Sequence, residues 1–178
     1  MNTNIVRMLG GVTIVGAILW LMSEVVERSN GGISNLSMGM LVVALFLLAV
    51  GVWGVHAVQR MQTGWLGLVG AIGISIGSFL LGIVDIMGFG LTTIAEVIAN
   101  AGIVYFIAVF AVVIGSIAFG IAVFRAGVFA RWTGILTVVS TLITLAVEIL
   151  ALPEIGISIA NVFLNVALIA MGWQAINS

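Results

Sequence analysis

Apolar residues fill this chain in blocks of about 20, the length a helix needs to cross bilayer hydrocarbon at about 1.5 Å per residue. The blocks predict six spanning helices, at roughly 5–25, 38–58, 66–87, 98–124, 132–152 and 155–174. Polar and glycine-containing breaks separate them: Ser29-Asn30-Gly31-Gly32, Arg60-Met61-Gln62-Thr63-Gly64 and Arg125-Ala126-Gly127. Pro153, the single proline, stands between the fifth and sixth blocks, where it cannot donate a backbone hydrogen bond. The first block follows Arg7 as a signal peptide's would. Its end, Leu21-Met22-Ser23-Glu24-Val25-Val26-Glu27, has no small-x-small cleavage site, so it reads as an uncleaved span. The expected fold is therefore all-α: one transmembrane domain over 1–178, in three hairpins of about 5–58, 66–124 and 132–174.

Composition agrees. Of 178 residues, 63% are hydrophobic and 6% charged, and mean hydropathy is +1.40. A soluble domain carries about 25% charged residues, so the expected surroundings are a lipid bilayer. Five arginines against six acids provide no basic patch, which excludes nucleic acid as a partner. The absence of cysteine excludes disulfides, thiolate metal sites and thiol nucleophiles, and the absence of lysine excludes a Schiff base.

Charge sets an expected orientation. Arg7, Arg60, Arg125 and Arg131 fall in the N-terminal segment or the even-numbered connections, and only Arg28 falls opposite. The bias of arginine toward the cytoplasm then places both termini there, in the cytoplasmic (inner) membrane. The acids Glu24, Glu27, Asp85, Glu96, Glu148 and Glu154 sort to the other face. The odd-numbered helices also share a pattern. Arg60 precedes Trp65-Leu66-Gly67, Arg131 precedes Trp132-Thr133-Gly134, and Arg7 leads more loosely to Gly10. Each of these helices ends on an acid: Glu24, Asp85 or Glu148. Related hairpins of this kind recur in membrane transporters. Interfacial anchoring explains the Trp and Arg equally well, but not the fixed glycine offset.

Lipid gives helices no hydrophobic reason to associate, so small residues and buried polar groups must hold them together. Gly70, Gly73 and Gly77 share one face of the third helix and are expected to pack on Ala111, Gly115, Ala118 and Ala122 of the fourth. Ser75, Ser78 and Asp85 line the adjacent face. Thr137, Thr141, Thr144 and Glu148 stripe the fifth helix, and Ser158, Asn161 and Asn165 stripe the sixth. Asn165 falls about 15 Å below the outer end, where an amide facing lipid would leave its polar atoms unpaired. These ten residues are therefore expected to form an inward-facing seam among helices 3, 5 and 6, with Asp85 and Glu148 at its outer mouth. Hydrogen-bonded glue between helices, or hydroxyls bonded to their own helix's carbonyls, is the plain explanation. A polar pocket for a small polar, cationic or lipid-like ligand is the functional one.

Other residues add less. His56, the only histidine, suits a wet interfacial ring; as a haem or pigment ligand it would need a second strong ligand, for which Met8 and Met61 are nearest in depth. Trp20, Trp65, Trp132 and Trp173 fit an interfacial belt, with Trp53 deeper. Glu96 and Asn100 open the fourth helix, an acid there complementing the helix dipole, and 91–97 could form a short interfacial or re-entrant helix. No catalytic motif, histidine-rich metal cluster or nucleotide-binding loop is present, so the expectation is a protein that is not an enzyme and uses no cofactor.

The stretch Phe124-Arg125-Ala126-Gly127-Val128-Phe129-Ala130-Arg131-Trp132-Thr133-Gly134-Ile135-Leu136, together with Ala170-Met171-Gly172-Trp173, resembles the C-terminal part of small bacterial six-helix membrane proteins. That resemblance implies the six-helix fold and carries no activity, because the family has none assigned. The expected function is binding of a small ligand in the outward pocket, with transport as its extension. A separate energising partner would drive movement, since the chain has no nucleotide site. The rivals are a structural subunit of a larger membrane complex or homo-oligomer, and a haem or pigment carrier.

Overall fold

Helices follow one another along the described residues: α1 (Thr3–Asn30), α2 (Asn35–Met87), α3 (Ile94–Ala101), α4 (Ile103–Ala126), α5 (Arg131–Leu150) and α6 (Ile155–Ile176). This is a computed structural model that describes residues 2–89, 94–150 and 155–178. Pro153, Glu154 and 91–93 lie outside the described residues. Five helices, α1, α2, α4, α5 and α6, are long and apolar enough to cross a membrane.

Local chemistry fixes the ends. The Asn2 side chain accepts from the Asn4 N–H at the start of α1, and Gly31, in the left-handed conformation, closes it. A reciprocal Ser34–Ser37 capping box starts α2. At 53 residues, α2 would run about 80 Å if straight, against about 30 Å of hydrocarbon. It is not straight. Gly64 leaves helical geometry at φ 56°, ψ −144°, a backbone region glycine enters without a Cβ penalty. Beyond it the chain doubles back: Ser75 Oγ donates to the Ala49 carbonyl at 2.7 Å, and Phe46 meets Phe79 edge-on at 5.3 Å. The second and third predicted helices are thus joined through one glycine, with no loop between them. Gly102, at φ 55°, ψ −132°, makes a similar break between α3 and α4. The predicted fourth helix, drawn from 98, accordingly starts at Ile103, and 98–101 belong to the short α3.

Small residues set the neighbours. A Cβ on Gly73 would lie 2.7 Å from Gly115 Cα, and one on Gly70 2.5 Å from Phe119 N. The second half of α2 and α4 therefore touch backbone to backbone, as the glycine face predicted. Gly51 meets Thr13 on α1 in the same way, Gly134 on α5 meets Gly120 on α4, and Gly172 on α6 meets Gly10 on α1. Each helix packs on the next and α1 closes on α6, completing a ring. The repeated glycine at a fixed offset is explained here: Gly10 and Gly134 are contact points at the end of the bundle carrying the Gly64 turn, and Gly67 packs on Thr63 just past that turn. Apolar side chains fill the axis, among them Leu48, Val52, Val55, Ala71, Ile74, Phe119, Val123 and Met171. The outer surface is apolar too, with Phe110 64%, Ile114 59% and Val25 68% exposed, as suits contact with acyl chains.

Candidate functional site

The threonines of the α5 stripe are buried (Thr137, Thr141) or half-buried (Thr144), and bonded to their own helix. Thr137, Thr141 and Thr144 donate to the carbonyls of Thr133, Thr137 and Ser140 at 2.9, 2.8 and 3.1 Å. A threonine hydroxyl reaches the carbonyl four residues back along its own helix, so none of these three hydroxyls donates to another helix. Glu148 is exposed and Asp85 half-buried. The seam expected among helices 3, 5 and 6 is therefore not assembled as a hydrogen-bonded unit.

The α6 stripe behaves differently. Its partner is α1, which sequence reasoning had left out of the site. Ser158 Oγ donates to Glu24 Oε2 at 3.0 Å, and Asn161 Nδ2 donates to Glu24 Oε1 at 2.5 Å. Arg28, one turn nearer the end of α1, donates to Ser158 Oγ. Asn165 Nδ2 reaches the Asn161 carbonyl at 2.9 Å, while its Oδ1 is buried without a partner. Asn165 is 0% exposed. A polar track thus descends from Arg28 at the bundle end, through Ser158, Glu24 and Asn161, to the unpaired Asn165 oxygen. A carboxylate accepts about four hydrogen bonds, so Glu24 retains acceptor capacity beyond its two α6 donors. Glu24 and Arg28 stand four residues apart and so share one face of α1; that this face meets α6 was not legible in the sequence.

On α2, Ser75 is spent bridging the two halves: it also accepts from Trp53 Nε1 at 3.2 Å. Ser78 is buried. A groove of about 320 Å³ between the halves, walled by Val50, Trp53, Ser75, Ile76, Phe79 and Leu80, opens on the apolar outer surface. Near the Gly64 turn, His56 is buried edge-on to Trp53, with ring centroids 6.1 Å apart. Its Nδ1 has no partner, and neither does the amide nitrogen or oxygen of Gln59, one turn on. Met8 and Met61, the candidate second haem ligands, stand 61% and 83% exposed at the surface, while His56 Nδ1 is buried. Among the described residues no group of three or more His, Cys, Asp or Glu could hold a metal ion. Comparison with protein-family models, curated proteins and solved structures finds no match to this chain.

Proposed function

We propose that this chain is an integral protein of the cytoplasmic membrane that crosses the bilayer six times, each half of α2 making one crossing. It binds a small cationic or polar solute at the α1–α6 seam, without catalysis and without a cofactor. Arg7 donates to the Ser178 carbonyl, and Arg60, Arg125 and Arg131 border the turns at that same bundle end. By the arginine bias this end, with both termini, faces the cytoplasm. The seam then opens outward.

One observation carries the reading: Glu24 sits within a span, is held from α6 by Ser158 and Asn161, and lies above an unpaired, fully buried amide oxygen on Asn165. Ionisable groups inside a span are costly and mark binding or conduction sites by default. Carboxylate, hydroxyl and amide oxygens are also the donors that hard cations prefer. Arg28 stands at the mouth on Ser158, so an incoming cation displaces a guanidinium, and a zwitterion keeps it.

The test is thermal unfolding of the detergent-purified protein at constant ionic strength, with sodium replacing N-methylglucamine. A saturable rise in Tm that E24Q abolishes supports the site; an identical rise in E24Q removes Glu24 from it. Since the chain has no cysteine, single cysteines at Asn30 and Met61 test the topology. An impermeant maleimide should label them from opposite sides of the membrane. A second reading, a structural subunit of a larger complex, draws on the apolar filling of the ring's axis. It predicts no cation-dependent stabilisation.

A further inference from the structure

We infer that the Gly64 end of the bundle holds a second polar site, built by His56 and Gln59, whose occupant is a small cluster of water molecules. It is separate from the Glu24 seam and stands whether or not that seam binds a solute. Leu48, Val52, Val55 and Gln59 follow one another at spacings of four, three and four, one stripe of α2. The first three pack into the apolar axis, so the stripe carries Gln59 inward with them. Gln59 is 0% exposed and His56 9%. Three of their polar atoms, Gln59 Oε1, Gln59 Nε2 and His56 Nδ1, are buried without a protein partner.

Native interiors rarely leave one such atom unpaired, and three within one helical turn point to a bound molecule. The Thr63 hydroxyl, one turn on, cannot donate to Gln59 Oε1, because its proton is committed to the Gln59 carbonyl at 3.1 Å. The occupant must donate to Gln59 Oε1 and accept from Gln59 Nε2, in surroundings where Gln59 and Val55 are both 0% exposed. Water is the smallest molecule with both capacities, and buried waters typically make about three such bonds. The supply is close. Arg60, Met61 and Gln62, on the next turn, are all exposed. Hydration reaching His56 gives this end of the apolar bundle a proton-exchanging group inside the protein.

His56 is the only histidine, so its ring resonances are unambiguous. The experiment measures magnetisation transfer from water to the His56 ring in detergent micelles, for the parent, Gln59→Leu and Gln59→Met. Bound water predicts a clear water-to-ring signal in the parent, reduced at least severalfold in both variants, with neither melting above the parent. A ring that exchanges magnetisation only with detergent, or variants that melt several degrees higher because two unpaired groups have been removed, would overturn the assignment. An organic molecule found bound to the intact protein by native mass spectrometry, and lost in Gln59→Leu, would overturn water as the occupant.

Discussion

Thr137–Thr141–Thr144 on α5 and Ser158–Asn161–Asn165 on α6 follow the same three- and four-residue helical steps, and both stripes are wholly or partly buried. The α5 hydroxyls return to their own backbone, whereas the first two α6 side chains cross to a carboxylate on α1. Two things separate them: the side chain and the neighbour. A threonine hydroxyl is satisfied within its own helix, so it demands nothing of adjacent helices. An asparagine amide carries two donors, and beside Glu24 it finds a charged acceptor, which makes the stronger kind of bond. Spacing assigns a stripe to a face; the chemistry of its residues and of the facing helix decides whether it joins two helices.

Substitutions can break this contrast. Glu24→Leu should cost the most, about 2 kcal/mol, because it strands two donors at once; reversible unfolding in mixed micelles with SDS measures it. Asn161→Leu should cost about 1 kcal/mol. Its effect should be non-additive with Glu24→Gln in a double-mutant cycle, since the two side chains touch. Thr137→Val should cost no more than about 0.5 kcal/mol, the hydroxyl having no partner on another helix. Glu148→Gln should leave the unfolding curve unchanged and show no coupling to Asn161, because Glu148 is exposed and outside the α1–α6 network.

Much of the architecture could be read from the chain alone. The apolar blocks mark the helices, and the Gly70–Gly73–Gly77 face finds Gly115 as expected. The burial of Thr137, Thr141 and Asn165 also follows from keeping polar groups out of lipid. The neighbour of α6 was not legible. Periodicity reports which residues share a face, but the closure of α1 onto α6 joins residues about 130 positions apart, Arg28 and Ser158 among them. Nor was Gln59, whose amide is hidden on a stripe that otherwise reads as plain core. The Gly64 break shows a third limit: a glycine in a polar stretch signals a turn, without saying that both flanking helices run right up to it.

Sodium-dependent melting compared between E24Q and the double variant D85N/E148Q sets the two candidate acid sites directly against each other. If the solute binds at the junction of the first and last helices, E24Q melts at the same temperature with and without sodium, while D85N/E148Q keeps the full saturable shift. The opposite outcome, a response surviving E24Q and vanishing in D85N/E148Q, would contradict the account and return the site to the ends of α2 and α5.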